Sequence, residues 1–139
     1  MARLSVIGLE EFMNDLEKVT KLSDGVIFEM LNKQAEVVEK AHVNKITELG
    51  LVDTGQLRDS ISRSAVRSGG ASRYLEVFPQ GERRYGGRNA EVGFIQEYGA
   101  PGRHITAKSW MYDANEECAE ETTEAALKVY DNYLKSKNL

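Results

Sequence analysis

Two long stretches with apolar side chains three or four residues apart limit the possible folds of this chain more strongly than any other feature. In residues 26–49 and 110–135 this spacing places the apolar side chains on one face of an α-helix. Gly50 follows the first stretch, where a glycine commonly ends a helix. A shorter helix is predicted over residues 9–21, after a brief extended piece at residues 4–7. The two ends of the chain are therefore predicted to be helical.

The middle of the chain predicts strands and loops. Residues 74–78 alternate aromatic and β-branched side chains, and residues 61–67 form a weaker strand candidate. The glycine-rich residues 68–72 suit a hairpin connection between them. Residues 90–94 are predicted as a third strand, whereas residues 95–98 are compatible with strand or helix. The order predicts an α+β fold: N-terminal helices including one long helix, a small mainly antiparallel sheet, and a long C-terminal helix packed on it.

Length and composition indicate one domain, residues 1–139, that folds without disulfide bonds. Hydrophobic residues make up 41% of the 139 residues and charged residues 29%, which is ordinary for a globular protein with a core of its own. The lone cysteine, Cys118, suits a reducing compartment. No apolar run approaches the roughly 20 residues of a membrane span, and the first residues become polar too early for a signal peptide. We therefore expect a protein that acts inside a cell, without a membrane partner.

Charge is unevenly distributed along the chain. The formal net charge is -4, yet residues 58–103 carry eight basic and five acidic residues, net +3, while both flanks are acidic. All eight basic residues of this middle segment are arginines, and all nine lysines lie outside it. A nucleic-acid-binding module that uses these arginines is one alternative function. Because acidic helices on the same body repel phosphates, we do not expect sequence-specific binding of nucleic acid.

The strongest catalytic motif is Asp53-Thr54-Gly55, since aspartic proteases present a catalytic carboxylate in this tripeptide. Their chemistry needs two carboxylates that share a proton, which a homodimer could supply. Here, however, the tripeptide follows a helix rather than a strand. We predict instead that Asp53 or Thr54 caps the short segment over residues 55–61. His42 lies within the long helix and His104 in a loop, and the sequence contains no nucleophile elbow and no glycine-rich phosphate loop. We therefore expect no catalytic residues, no metal and no cofactor.

Two segments carry a family resemblance: residues 52–61 read VDTGQLRDSI, and residues 88–99 read RNAEVGFIQEYG. Both resemble the tail-completion, or head-tail joining, family of long-tailed phages, the lambda Z-like group. An arginine-containing loop and a helix follow, in the same order as in that family. Trp110 keeps the aromatic residue at the helix entry, although the proline of the family is missing. The resemblance covers roughly residues 4–135, and its structural motif residues are Asp53, Thr54, Gly55, Leu57, Gly99 and Trp110.

This resemblance implies a non-enzymatic structural part of a phage or prophage particle. Such a protein joins the tail tube or tail terminator to the head connector, and it is assembled in the bacterial cytoplasm into the virion. The resemblance also implies a homo-oligomeric ring in the particle. For the isolated protein, the acidic helices and the basic middle predict a weak equilibrium between monomer and ring, through head-to-tail contacts that weaken as salt rises. Host, ring order and the type of tail stay open at this point.

The predicted partner-binding surface is the loop over residues 80–89 together with the corner that follows. Arginine and tyrosine are enriched at binding hot spots, because guanidinium groups pair with carboxylates and the ring buries area at little entropic cost. A solvated loop without a partner is the simpler alternative. The residues predicted to bind a partner are Arg83, Arg84, Tyr85, Arg88, Glu97, Tyr98 and Arg103.

Overall fold

The computed structural model describes residues 24–52, 54–70 and 72–138, and within them the fold is α+β, as predicted. Two long helices lie at the ends, with two short helices and two pairs of strands between them. In chain order the elements are α1 (Asp24–Glu48), α2 (Gln56–Asp59), β1 (Ile61–Arg63), β2 (Arg67–Gly69), β3 (Ser72–Tyr74), β4 (Val77–Pro79), α3 (Asn89–Tyr98), a 3-10 turn (Pro101–Arg103) and α4 (Trp110–Ser136).

The two long helices pack against each other along most of their length, which confirms both predicted helices. Three hydrogen bonds cross between them: Gln34 Nε2 donates to Thr122 O at 3.4 Å, His42 Nε2 lies 2.7 Å from Asn115 Oδ1, and Lys45 Nζ donates to Glu117 Oε1 at 2.7 Å. From Gln34 to His42 the partners on α4 run back from Thr122 to Asn115, so the pair is antiparallel. Gly50 follows α1 with a φ of 70°, as expected for the glycine after a helix. The predicted segments at residues 4–7 and 9–21 lie outside the described residues.

The four strands form one long antiparallel ribbon that is interrupted in the middle. Strands β1 and β4 pair at its base and strands β2 and β3 at its tip. Between the pairs, the Ser64 N–H donates to Glu76 O at 2.7 Å, whereas the Glu76 N–H is accepted by the Ser64 hydroxyl at 3.0 Å. Because this hydroxyl replaces a backbone acceptor, each strand predicted over residues 61–67 and 74–78 is divided in two. The predicted hairpin connection over residues 68–72 is confirmed.

The predicted strand over residues 90–94 is wrong, because α3 covers all of Asn89–Tyr98. Helix is confirmed at residues 95–98, which the sequence left open. The helix begins with two hydrogen bonds from Arg88 to Glu91: the Glu91 carboxylate accepts from the Arg88 backbone N–H at 3.4 Å and from Arg88 Nε at 3.1 Å. Gly93 then lets the helix approach β4, since a Cβ there would lie 2.9 Å from Pro79 Cγ.

Trp110 is the centre of the core. It is completely buried and packs with Ile46, Leu57 and Ile61, so that α1, α2, β1 and α4 meet around one side chain. Its indole Nε1 donates to Gly93 O at 2.9 Å, which attaches α3 to the same core. This arrangement fixes α3 and the loops at both of its ends relative to the two long helices.

Candidate partner-binding surface

The turn at residues 54–57 lies where α1 is followed by the short helix α2. Gly55 occupies the N-cap position with a φ of 80°, a left-handed conformation that favours glycine. A Cβ at Gly55 would also lie 2.9 Å from Arg58 Nη2. The Thr54 hydroxyl accepts from the Gln56 N–H at a long 3.4 Å, so Thr54 provides only a weak version of the predicted cap. Asp53 lies outside the described residues, and its capping role stays a prediction.

The arginine-containing loop is closed by hydrogen bonds within itself. The Arg83 N–H donates to Gly87 O at 2.8 Å, and the Gly86 N–H donates to Arg83 O at 3.3 Å. Both glycines have a positive φ, 101° and 79°, which explains why the tight turn needs a Gly-Gly pair. The Arg84 N–H donates to Gln56 Oε1 at 3.0 Å. This last bond joins the loop to the turn at residues 54–57, so the structure brings the two predicted regions together.

The arginines of residues 58–103 fall into two groups. Five form an ion pair with a carboxylate of the same chain: Arg58 with Asp59 (2.9 Å), Arg63 with Glu39 (2.6 Å), Arg67 with Glu76 (3.8 Å), Arg73 with Asp24 (3.8 Å) and Arg88 with Glu91 (3.1 Å). Within the described part of the chain, Arg83, Arg84 and Arg103 have no carboxylate partner. All three lie in the predicted partner-binding surface, two before α3 and one after it.

A cavity of about 460 Å³ lies between the turn at residues 54–57, the arginine-containing loop and α3. Leu57 and Val92 contribute apolar side chains to its lining, and Gln56, Arg83 and Gln96 contribute polar ones. Arg83 is half-buried, whereas Arg84 and Tyr85 are exposed. The loop therefore has an inner side at the cavity and an outer side in solvent.

Glu97, a predicted partner-binding residue, uses its carboxylate inside the fold. It is only 9% exposed, and its two oxygens accept from the backbone N–H groups of Met111 at 2.6 Å and Tyr112 at 3.1 Å. These are amides of the first turn of α4, which have no partner within the helix, and a negative charge there also suits the helix dipole. Both carboxylate oxygens of Glu97 therefore support the start of α4, and binding of a partner by this residue stays a prediction.

Gly99 holds the corner between α3 and the 3-10 turn. Its φ is 78°, and a Cβ there would lie 2.8 Å from both Ile105 O and Ala107 N. The backbone at the corner returns as Lys108 and Ser109, whose N–H groups donate to Gln96 O and Glu97 O at 2.7 and 3.2 Å. Any side chain at Gly99 would push the backbone of residues 105–107 away from the corner. Gly99 thus keeps the corner tight, beside the core that is built around Trp110.

Tyr98 is exposed on α3 and is accompanied by a residue that the sequence did not single out. The rings of Phe94 and Tyr98 lie 4.7 Å apart, and the two side chains are 63% and 67% exposed. Phe94 was missed because it was assigned to a strand, where Tyr98 four residues later would not be its neighbour. Helical spacing is the signal that relates them. Val92 and Gln96, by contrast, line the cavity, so α3 separates the aromatic pair from the cavity.

Electrostatic effects at this surface are local. The hydrogen bond from Arg88 lowers the pKa of Glu91, and that from Arg58 lowers the pKa of Asp59. Residues 24–52, 54–70 and 72–138 contain no group of three or more histidine, cysteine, aspartate or glutamate residues that could hold a metal ion. No helix in the same ranges is long and apolar enough to cross a membrane.

The fold and this surface define a small α+β protein with unpaired arginines and exposed aromatic side chains around one short helix. The model of the family described as "Bacteriophage HK97-gp10, putative tail-component" matches residues 10–99, well over half of the chain. The chain therefore belongs to the HK97-gp10-like family of phage tail components. No curated protein and no solved structure matches it significantly.

Family membership supports the coarse function implied by the sequence. A phage tail component is a part of the virion, and such components are in general structural rather than enzymatic. Its partners are expected among phage structural proteins. The match extends from residue 10 to Gly99, so it includes the turn at residues 54–57, the loop and α3.

Proposed function

We propose that this protein, acting as one domain over residues 1–139, joins the phage tail to the head connector as part of a ring in the neck. The observation that supports this most directly is the distribution of unpaired arginines. Among the described residues, the arginines of the basic middle segment without an internal carboxylate partner are Arg83, Arg84 and Arg103, at the two ends of α3. This helix has ten residues and is about 15 Å long. The unpaired charges therefore frame one small surface.

The outer part of this surface has the chemistry of a protein interface. Arg84 and Arg103 are exposed cations, and Tyr85 is 90% exposed. Between them in the sequence, the exposed ring of Tyr98 lies tilted against the ring of Phe94. Guanidinium groups and aromatic rings are the side chains that most often dominate binding energy. Arg88 belongs to the surface as well, although its pairing with Glu91 commits part of its charge. A partner with an acidic rim and an apolar centre suits this arrangement.

The experiment mixes purified phage heads and tails with the protein and counts joined particles. Replacing Arg84 and Arg103 by glutamate leaves the core untouched and creates like-charge repulsion with an acidic partner. We expect joining to be lost. The matched control replaces Arg67 and Arg73 by glutamate, the same change of charge on the hairpin, and should join normally. If the Arg84/Arg103 variant is folded and joins as well as the wild type, this surface is not the contact.

Two alternatives make different predictions for the same preparation. A nucleic-acid-binding module would bind random duplex DNA at low salt, with an affinity that falls steeply as salt is added. A protease would hydrolyse peptides and lose that activity in Asp53→Asn. We expect neither DNA binding nor hydrolysis, because joining by protein contacts requires neither.

A further inference from the structure

We propose that the cavity beside Arg83 receives a glutamate side chain from α4 of a second copy of the chain. The contact is head-to-tail: the cavity of one copy faces the acidic side of α4 on the next. This inference rests on the proposed ring and names the surfaces through which neighbouring copies meet. It assigns the inner side of the loop to a neighbouring copy and leaves the outer side for the head and tail proteins.

The first argument is the state of Arg83. Its side chain is half-buried and lines the cavity, and no carboxylate of the described residues pairs with it. A cation that is partly removed from water is stabilised by a carboxylate at hydrogen-bond distance, and a guanidinium can bind both of its oxygens. Gln56 and Gln96 line the same cavity and offer further hydrogen-bonding groups. The cavity is therefore better suited to a carboxylate than to an apolar side chain.

The second argument is the size of the cavity. Its volume of about 460 Å³ far exceeds the roughly 30 Å³ that one water molecule occupies in the liquid. A whole side chain fits, with its apolar stem against Leu57 and Val92 and its charged end at Arg83. Glutamate has this combination of an apolar stem and a charged end.

The third argument is that α4 offers the complementary charge. Glu116, Glu120, Glu121 and Glu124 are all exposed, and none has an ion-pair partner among the described residues. Glu116, Glu120 and Glu124 are spaced four apart, so they lie along one side of the helix. Residues 104–139 carry net -3, against net +3 for residues 58–103.

A second copy is the occupant that this charge pattern selects. Both surfaces are present on every copy, but Arg83 does not pair with α4 of its own chain. When two copies meet, Arg83 of one copy pairs with the acidic face of α4 on the other. The second Arg83 and the second acidic face stay free, so each further copy can add the same contact. A heterologous contact of this kind closes into a ring when the rotation between copies permits.

The first experiment measures self-association by sedimentation equilibrium at low salt over a range of protein concentrations. The wild type should show an average mass that rises with concentration and falls when salt is added. The association constant of Arg83→Gln should be lower than that of the wild type by about tenfold or more. The control Arg67→Gln removes the same charge from the hairpin and should associate like the wild type. A wild type that stays monomeric throughout, or an Arg83→Gln variant that matches it, overturns the inference.

Mixing two defective variants tests whether the contact is head-to-tail. Arg83→Gln keeps the acidic face of α4, and a variant with Glu116, Glu120 and Glu124 replaced by glutamine keeps the cavity with Arg83. Each alone should be largely monomeric, whereas the mixture should form dimers and nothing larger, because only one productive contact remains. Growth beyond dimers, or no association in the mixture, contradicts the assignment.

The second experiment identifies the partner residue directly. Arg83→Lys keeps the charge and places an amine that a carbodiimide couples to a carboxylate in contact with it. We expect cross-links between copies from the introduced lysine to glutamates of α4, read by mass spectrometry of a mixture of isotope-labelled and unlabelled protein. The control Arg84→Lys places the amine on the outer side of the loop and should give few such links. Equal linkage by both variants, or links that avoid α4, excludes the contact.

The joining assay separates this inference from the proposed function. If Arg84→Glu with Arg103→Glu blocks joining while Arg83→Gln leaves self-association unchanged, the inference fails and the proposed function stands. If self-association depends on Arg83 while joining is insensitive to Arg84 and Arg103, the proposed function fails at this surface and the contact between copies stands.

Discussion

The hairpin over residues 61–79 and the region over residues 81–103 that follows it use their arginines in opposite ways. On the hairpin, Arg63, Arg67 and Arg73 all pair with carboxylates of the same chain. In the following region only Arg88 does so, and Arg83, Arg84 and Arg103 have no such partner among the described residues. The positive charges of the hairpin arginines are thus balanced by carboxylates of the same chain, whereas the region around α3 retains unpaired positive charges.

The difference shows that a basic segment is not the same as a basic surface. Arg63 illustrates the point, since its guanidinium donates to both oxygens of Glu39, at 2.6 and 3.3 Å, and to Asn32 O and Oδ1 at 3.1 and 3.0 Å. These hydrogen bonds and the ion pair hold the base of the hairpin against α1. From its place in the basic segment alone, Arg63 would be expected to bind a partner. Its contacts with Glu39 and Asn32 show that it stabilises the fold instead.

Glu97 should give the largest effect on stability, because its carboxylate, like those paired with the hairpin arginines, makes its contacts inside the fold. Glu97→Ala removes the acceptor for two amides at the start of α4. We expect a loss of about 2 kcal/mol in the free energy of unfolding, measured by urea denaturation. Glu97→Gln keeps one acceptor oxygen and should lose less. A Glu97→Ala variant with normal stability that fails to join heads and tails would show that the carboxylate faces a partner instead.

Arg63 should give the next largest effect. Arg63→Met keeps an apolar stem but leaves the carboxylate of Glu39, which is only 25% exposed, without its cation. We expect a loss of about 1.5 kcal/mol, again by urea denaturation. The double variant with Glu39→Gln should recover part of this loss, because no unpaired charge remains. An Arg63→Met variant as stable as the wild type would mean that the ion pair contributes nothing and that the hairpin arginines resemble the free ones.

Arg84 should give almost no effect on stability, in contrast to Arg63. Its side chain is exposed and makes no ion pair with a described residue, and its contact with Gln56 comes from the backbone, which substitution preserves. Arg84→Gln should therefore unfold within about 0.5 kcal/mol of the wild type. A larger loss would indicate that the guanidinium has an internal role, and the joining defect of Arg84 variants could then reflect unfolding.

The boundaries of the two long helices and the fold class could be predicted from the sequence, because they depend on local patterns. The periodicity of residues 26–49 and 110–135 and the glycine at position 50 required no long-range information. The strand predicted over residues 90–94 failed for the opposite reason. Short apolar runs suit strand or helix, and the choice was made by the contacts of Arg88 with Glu91 and by the packing of Gly93 on Pro79.

The candidate site could be predicted only in part. The sequence identified the loop and the corner, since arginine, tyrosine and glycine stand together there. It could not show that Arg83 is unpaired while other arginines are paired, because such pairs join residues that are distant in the chain. Arg63, for example, pairs with Glu39, which lies 24 residues earlier. It also assigned Glu97 to the surface, since nothing in the local sequence shows that α4 begins beside it. The cavity joins residues 50–57, Arg83 and α3, so it exists only in the folded chain.

Replacing Arg88 should give the smallest effect on stability, and the clearest measurement of this effect is the pKa of Glu91. Its hydrogen bonds lower the pKa of Glu91 below its ordinary value. A carboxyl whose pKa is lower in the folded than in the unfolded state stabilises the fold above its unfolded pKa of about 4.3, and that contribution is lost as the pH falls through the folded pKa. Arg88→Gln should therefore move the pKa of Glu91 upward in an NMR titration and weaken the pH dependence of stability on the acid side. Asp59, whose pKa is lowered by Arg58, should titrate unchanged in this variant and serves as the internal control. If the pKa of Glu91 does not move, Arg88 is free like Arg83 and Arg84, and all four arginines of residues 81–103 are then available to partners.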